Sequence, residues 1–459
     1  MSRLFGTDGI RGEAGRFPLD KETVRLIGNS LARHLAARMV GERAPRIVTG
    51  RDTRESGAWI EHAFIAGARA AGAECQTAGV ITTPGVAYLA RTLPADAGVV
   101  VSASHNPYQD NGIKIFAPSG RKLDDATERL IEADIRATGT PDHTAQAQDA
   151  TPFEENETAE SAALRQRYLD YLKEEEAASL SLAGLSIVLD CANGAASDLA
   201  PALFEKLGAR VRAVNCAPDG RNINRDCGSL HIEGLRQAVL EQRADLGVAF
   251  DGDADRALFV DAQGQFVDGD ATLWIMAQYL AARGELKDGI IVATVMSNIG
   301  LEIALRARGW QLHRTDVGDK YVLEELLRTD ASVGGEQSGH IIFPRQSLAG
   351  DGMITTLGIL RAMHDTGVRL DQLTTGFTQY PQVLVNVRVR EKRPFEEVAS
   401  VARVAEEIRA QLGERGRLLL RYSGTEPLAR VMIEGEQQAD IEQQANRLAS
   451  VIKDSLGSA

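Results

Sequence analysis

The sequence predicts an α/β protein of layered, mixed or largely parallel sheets. Short apolar runs of strand length alternate with longer amphipathic ones along most of the 459 residues. Several of the short runs end in a polar loop rich in Gly, Ser, Asp or Asn. The length suggests about three domains, and shifts in composition divide the chain into four segments.

The elements follow in order. Val24, Ile27, Leu31 and Leu35 recur at helical spacing with Asp20 placed as N-cap. Arg46–Gly50 reads as a buried strand ending in a polar loop, and Val99–Val101 as another. The rhythm continues through Ser186–Leu189, Leu246–Phe250 and Ile290–Ala293, and Val383–Val389 starts a new strand near the end. The clearest boundary is Thr138–Glu160, rich in Thr, Gln, Asp and Glu; weaker ones fall at the turn Asp261–Gly264 and at Thr374–Pro381. The expected domains are therefore 1–150, 155–260, 261–372 and 376–459. The first three look like strand–helix units that each deliver one polar loop. No strict sequence period accompanies them, so a structural repeat is conjecture at this point.

A net charge of −13 argues against nucleic acid or an anionic membrane as partner, because no basic field draws a polyanion in. A phosphorylated metabolite needs only a locally basic cleft. Cys75, Cys191, Cys216 and Cys227 show neither a Cys-x-x-Cys pair nor zinc spacing, and read as thiols. The start of the chain lacks an apolar signal core, and Gly289–Met296 is only strand-sized. These features predict a soluble, cytoplasmic protein.

Four motifs carry chemistry. Ser102-Ala103-Ser104-His105-Asn106-Pro107 follows a strand and makes a sharp turn exposing a hydroxyl where α/β sheets place ligands; an ordinary Ser/Asn turn is the plain alternative. No Gly-x-Ser-x-Gly elbow surrounds Ser104, which removes the serine-hydrolase reading. Asp251, Asp253 and Asp255 alternate along Asp251-Gly252-Asp253-Ala254-Asp255-Arg256, so three carboxylates can converge as hard ligands for Mg²⁺, with a solvated acidic turn as the plain alternative. An EF-hand is excluded because Arg256 and Ala262 stand where Gly and Glu would be needed. A strand followed by Asp-x-Asp also fits a phosphatase in which Asp251 is the nucleophile and Ser104 is incidental. Gly334-Gly335-Glu336-Gln337-Ser338-Gly339-His340 offers a carboxylate, a hydroxyl and an imidazole to sugar hydroxyls, with Asp319-Lys320 upstream. Arg421-Tyr422-Ser423-Gly424-Thr425-Glu426-Pro427, with Arg430, can wrap a phosphate. Gly6–Gly12 is a further Gly-rich loop, with Arg11.

These runs, in this order, resemble the α-D-phosphohexomutase superfamily over nearly the whole chain. Phe5–Gly12, Gln337 and Gly350-Asp351-Gly352 are most similar to its bacterial glucosamine-phosphate branch. The resemblance implies four domains around a central cleft: three related α/β mixed-sheet domains and a C-terminal α+β domain. It implies that Ser104 is a phosphoserine, and that Asp251, Asp253 and Asp255 bind one Mg²⁺ together with its phosphate. It further implies that Glu336 and Ser338 hold sugar hydroxyls, and that Arg421, Ser423, Gly424, Thr425 and Arg430 bind the phosphate not being transferred. Arg11, His105, Lys114, Arg256, Lys320 and His340 are implied to line the reaction centre. The expected reaction interconverts glucosamine 6-phosphate and glucosamine 1-phosphate through a sugar 1,6-bisphosphate, supplying UDP-N-acetylglucosamine synthesis, in a monomer or homodimer. The alternatives are a phosphomannomutase/phosphoglucomutase, a metal-dependent sugar-phosphate phosphatase and, remotely, a non-catalytic sugar-phosphate sensor. Lys320, Lys114, His105 and His340 all remain open as the general base.

Overall fold

The computed structural model describes residues 3–39, 41, 43–137, 158–423 and 426–457. All but the last three residues of the stretch Thr138–Glu160 lie outside the described residues, as do Gly424 and Thr425. The helix expected around Val24–Leu35 runs Lys21–Arg38, with the Asp20 carboxylate accepting the Thr23 N–H.

Four sheets follow one another along the chain. The first has six strands in the order Phe5–Gly6, Gly9–Glu13, Asp110–Phe116, Ala97–Val101, Arg46–Arg51, Glu74–Val80. The second has five, in the order Phe266–Val267, Ala257–Asp261, Leu246–Phe250, Ser186–Asp190, Arg210–Val214. The third has four: Gln311–Thr315, Ile290–Thr294, Gly334–Gly335, Ile341–Ile342. The turn Asp261–Gly264, read above as a boundary, joins two strands of the second sheet, since Phe266 pairs with Val260.

A repeat that the sequence does not display is evident in the pairing. In each of the first three sheets an opening strand (Arg46–Arg51, Ser186–Asp190 or Ile290–Thr294) pairs in parallel with the next strand in the chain and with the one after it. That third strand then pairs antiparallel with a fourth. The serine, metal and sugar loops each connect the third strand to the fourth of its own unit. Three loops of different chemistry thus occupy one topological position, beyond the end of a buried central strand. Ala97–Val101 and Leu246–Phe250 are buried throughout, as expected of strands covered on both faces.

The C-terminal unit is α+β: an antiparallel sheet of Gln382–Arg388, Leu428–Glu434 and Arg417–Tyr422, backed by the helices Ala399–Leu412 and Gln438–Leu456. One apolar cluster runs through the first three units, from Val48 through Tyr168 and Phe250 to Trp274 and Leu360. The C-terminal unit has a cluster of its own. Burial therefore fastens the three loop-bearing units together and leaves the fourth more weakly attached.

In the first unit, helix Lys21–Arg38 crosses helix Gly57–Ala70 through two glycines. A Cβ on Gly67 would lie 1.9 Å from the Arg25 carbonyl oxygen, and one on Gly28 2.1 Å from that of Phe64. Backbone cannot yield as a flexible side chain does, so Gly67→Ala should destabilise by about 3 kcal/mol, at the upper end of overpacking costs. Gly234, with nothing within 4 Å of its would-be Cβ, is the control. Its change to Ala should be neutral or stabilising by under about 1 kcal/mol. Urea midpoints of the two variants test the contrast.

Candidate active site

The serine loop begins where strand Ala97–Val101 ends. Ser104 is 1% exposed and has a left-handed backbone, φ 54°, a conformation costing a non-glycine residue about 1–2 kcal/mol. Its neighbours impose it. Arg54 donates through Nη2 to the carbonyls of Ser104 (3.1 Å) and Asn106 (2.6 Å). Asn224, from the second unit, donates through Nδ2 to the same two carbonyls at 2.9 and 3.0 Å. Gly252 packs so closely that a Cβ there would meet the Ser104 carbonyl at 2.5 Å. Ser102, the other hydroxyl of the motif, accepts the Ser104 N–H at 2.9 Å and so braces the loop. The clamped hydroxyl of Ser104 donates to Asp251 Oδ2 at 2.5 Å and lies 3.3 Å from His105 Nδ1.

Asp251, Asp253 and Asp255 are buried, and one oxygen from each lies within 4.8 Å of the others. Burial and repulsion from Asp255 and Asp253 push Asp251 well above the usual carboxylate range. For Asp255 burial acts the same way but is outweighed by Lys114, His340 and Arg256, which hold it well below that range. Lys114, 1% exposed, reaches Asp253 (2.9 Å), Asp8 (3.1 Å) and Asp255 (3.2 Å). Despite burial these carboxylates keep its ammonium far above the ordinary lysine value. Lys122 and Arg11 also pair with Asp8, and Arg256 and His340 with the cluster, yet not every carboxylate oxygen is engaged. Asp253 Oδ1 is buried without a hydrogen-bond partner among the described residues, and Asp255 Oδ1, likewise without a hydrogen bond, has only ion pairs to His340 at 3.4 Å and Arg256 at 3.8 Å. Orphaned, converging hard oxygens are what a divalent cation would satisfy, so the donor set fits a metal ion.

Beside the serine lies a cavity of about 410 Å³ lined by Asp8, Arg11, His105, Asp255, Arg256, Glu336 and His340, among others. Here the three units meet. Lys122 bridges Asp8 of the first unit and Asp319 of the third, the latter at 2.5 Å. Asp319 in turn lies 3.7 Å from His340 Nε2, whose Nδ1 faces Asp255 Oδ1 at 3.4 Å. Asp8, Lys122, Asp319, His340, Asp255 and Lys114 thus form a closed ring of alternating charge. Burial lowers His340, but Asp255 and Asp319 raise it on balance to about 9, so it is cationic at neutral pH. His105 goes the other way, to about 4, through burial and the nearby Arg256 and Arg11. The two histidines therefore differ in charge at neutral pH.

Not every expected residue joins this centre. Lys320 turns to Asp125 and lines a second cavity, to which Asp8, Asp255, Asp319 and His340 of the ring also contribute. Glu336 accepts the Gly318 N–H at 3.2 Å, and the Ser338 hydroxyl lies 3.4 Å from its other oxygen. Arg421 and Arg430 sit in direct cross-strand register in the C-terminal sheet, a like-charge pairing that disfavours itself unless an anion intervenes. Burial and Arg430 together lower the Arg421 pKa. Arg430 approaches the Ser423 hydroxyl at 3.5 Å, and Lys392 donates to the Ser423 carbonyl at 2.6 Å. Arg54, Asn224, Asp8, Lys122, Asp319 and Lys392 were not among the residues expected from sequence. Asn224 had a local signal: it lies in a run dense in Asn, Asp and Gly, where Asn215, Asn224 and Asp226 all adopt positive φ.

Comparison with known proteins accounts for this arrangement. The phosphoglucomutase/phosphomannomutase family matches over four segments: α/β/α domain I at residues 2–142, domain II at 166–264, domain III at 268–380 and the C-terminal domain at 384–451. A relative from Solibacter usitatus (strain Ellin6076), named phosphoglucosamine mutase, is 50% identical over 455 residues, 99% of either chain. A phosphoglucomutase/phosphomannomutase family protein from Burkholderia thailandensis shares the fold, with TM-score 0.77, 23% identity and coverage of 99% of this chain and 98% of that one. So does the Aspergillus fumigatus N-acetylphosphoglucosamine mutase solved with GlcNAc-6P and magnesium (TM-score 0.62, 20% identity, 91% and 85% covered). Three like units bearing a serine loop, a three-aspartate loop and a Gly-Glu-Gln-Ser-Gly-His loop, a fourth bearing paired arginines, and full-length identity of this order place the chain in the phosphoglucomutase/phosphomannomutase family, among the phosphoglucosamine mutases.

Proposed function

We propose that the chain interconverts glucosamine 6-phosphate and glucosamine 1-phosphate by passing a phosphoryl group between the sugar and Ser104. The observation that carries this reading is the buried, left-handed Ser104, its hydroxyl 2.5 Å from Asp251 at the edge of a carboxylate cluster with unpaired oxygens. Asp251, Asp253 and Asp255 would hold Mg²⁺, with the Ser104 oxygen or its phosphate completing the site. There the ion would neutralise charge developing on the transferred group. The protein's own task is positioning and electrostatics.

In this reading Arg11 and Arg256 face the phosphoryl oxygens, while His340 and Lys114 hold the carboxylates in place. Glu336 and Ser338 take the sugar hydroxyls. Arg421, Ser423, Gly424, Thr425 and Arg430 grip the phosphate not being transferred. One half-reaction leaves a sugar 1,6-bisphosphate. When that molecule turns over in the cleft, its other phosphate returns to Ser104, so the C-terminal grip must release and re-form. A single chain carries every group required, so a monomer or a homodimer would serve. A cytoplasmic location would suit an enzyme that works on phosphorylated sugars. Among the described residues no helix is long and apolar enough to cross a membrane.

Turnover of glucosamine 6-phosphate should exceed that of glucose and mannose 6-phosphates, and peptide mass analysis should place a phosphate on Ser104. Equal rates on all three sugars would remove the glucosamine assignment. A phosphate on Asp251 with release of inorganic phosphate would favour the phosphatase.

A further inference from the structure

Gln337 lies in the middle of the sugar loop, the natural place for a residue that reads the substituent at the sugar's C2. Its side chain points to a different task. Its Nε2 donates at 3.3 Å to Oδ2 of Asp268, a residue 4% exposed whose other oxygen caps helix Gly269–Ala282 through the Ala271 N–H. The same Oδ2 accepts Gln379 Nε2 at 3.2 Å, and Gln379 belongs to the segment leading into the C-terminal sheet.

The next two residues repeat the pattern. Gly269 donates to the Gln337 carbonyl at 3.0 Å, and a Cβ on it would stand 2.0 Å from the Glu336 carbonyl. The sugar loop is seated on this glycine with no space between them. Asp270, fully buried, accepts the Asn298 N–H at 2.7 Å. The Asn298 amide brackets Tyr380, donating to its carbonyl and accepting its N–H, both at 2.9 Å. A Cβ on Gly300 would fall 1.9 Å from the Thr378 carbonyl, so this segment too is seated without slack. Asp268-Gly269-Asp270 therefore holds the sugar loop with one hand and Thr378–Tyr380 with the other.

We propose that Gln337 is a positioning residue: through Asp268 it couples the sugar loop to the Thr378–Tyr380 segment from which the phosphate-gripping C-terminal unit hangs. The proposal rests on the phosphohexomutase reading for its purpose, but the coupling itself is a property of the free protein. A buried carboxylate oxygen shared by two amide donors penalises the loss of either, so displacement of one segment is felt by the other, and the effect is reciprocal. A sugar that orders the loop thereby steadies the linker, and release of the distal phosphate loosens the loop before the intermediate turns.

Hydrogen exchange on the full-length protein tests the coupling without reference to turnover. Gln337→Met should speed exchange of the backbone amides at 378–382 by about ten-fold, the scale of one hydrogen bond to a charged group. Gln379→Met, at an exposed position, should do the same at Glu336–Gly339. Acceleration confined to the mutated segment in both variants would overturn the proposal. With glucosamine 6-phosphate, each variant should lose about ten-fold in kcat/KM and the double variant no more than either, since both act through one oxygen. The preference for glucosamine over glucose 6-phosphate should stay unchanged. A Gln337→Met enzyme whose sugar preference shifts while Gln379→Met leaves it alone would make Gln337 a sugar contact instead. Wild-type protein inactive on every hexose phosphate would sink the proposed function while leaving the exchange result to stand or fall separately.

Discussion

Ser104→Ala is expected to lower mutase turnover by on the order of 10⁴-fold or more, the scale seen when a covalent nucleophile is removed. Sugar-phosphate affinity should change little, because Glu336, Arg256 and the C-terminal arginines are untouched. The protein should still fold. Arg54 and Asn224 grip the carbonyls of residues 104 and 106, and these bonds do not involve the deleted hydroxyl. Ser104→Gly is a useful companion, since glycine accepts φ 54° without strain. It should match the alanine variant in inactivity and equal or exceed it in thermal midpoint. Isothermal titration with glucosamine 6-phosphate beside a coupled turnover assay separates binding from chemistry. Undiminished turnover in either variant would return the nucleophile's role to Asp251.

Lys114→Met should cost about 3–5 kcal/mol of stability, the range for removing one member of a buried ionic cluster. The ammonium pairs with Asp8, Asp253 and Asp255; without it Asp8 keeps Lys122 and Arg11, but Asp253 loses its ion pair and Asp255 keeps only His340 at 3.4 Å and Arg256 at 3.8 Å. The pH dependence has a definite sign. In the wild type Asp255 is held below its ordinary value of 3.8, so it contributes stability above that pH that is lost as pH falls through the folded value. In the variant the buried acids are pushed up, and their penalty is relieved when they protonate. The deficit relative to wild type should therefore be larger at pH 8 than at pH 5. Added Mg²⁺ should restore part of it, by placing a cation among the same oxygens. Urea denaturation at both pH values, with magnesium or with chelator, reads all three effects. A deficit independent of pH and metal would mean that Lys114 acts through packing.

The α/β class, the opening helix with its Asp20 cap and the main strands were legible because each rests on local pattern: apolar periodicity, a cap residue, a buried run. The serine and aspartate loops were legible because their chemistry is concentrated in contiguous residues. The threefold repeat was legible only as a conjecture from three strand–helix units and through the family resemblance, because it lives in strand pairing, and pairing leaves no fixed period when the loops between strands differ in length. Arg54 and Asn224 were hidden for a related reason. Each acts on backbone carbonyls far away in the chain, and a carbonyl has no sequence identity to match. Lys122 carries no motif of its own, and Asp319 stood only in a turn upstream of the sugar loop; their pairing exists because the fold lays the first unit against the third. Lys320 was expected at the reaction centre from the family resemblance, yet one step past Asp319 at the start of a helix it turns to Asp125.

The double grip on the serine loop also sets an order of events as the chain is made. Ser104 leaves the ribosome 120 residues ahead of Asn224 and 147 ahead of Asp251. At about 5–20 residues per second, roughly 6 to 24 s pass before the second clamp is even synthesised. Until then only Arg54 and the Ser102 hydroxyl restrain a serine whose left-handed backbone is intrinsically unfavourable, and its hydroxyl lacks Asp251 to face. A nascent chain that has completed its first sheet therefore carries the residue without the reactive geometry. In the proposed reaction Ser104 would become competent only when the second unit docks, so the serine would not mature before the carboxylates that face it.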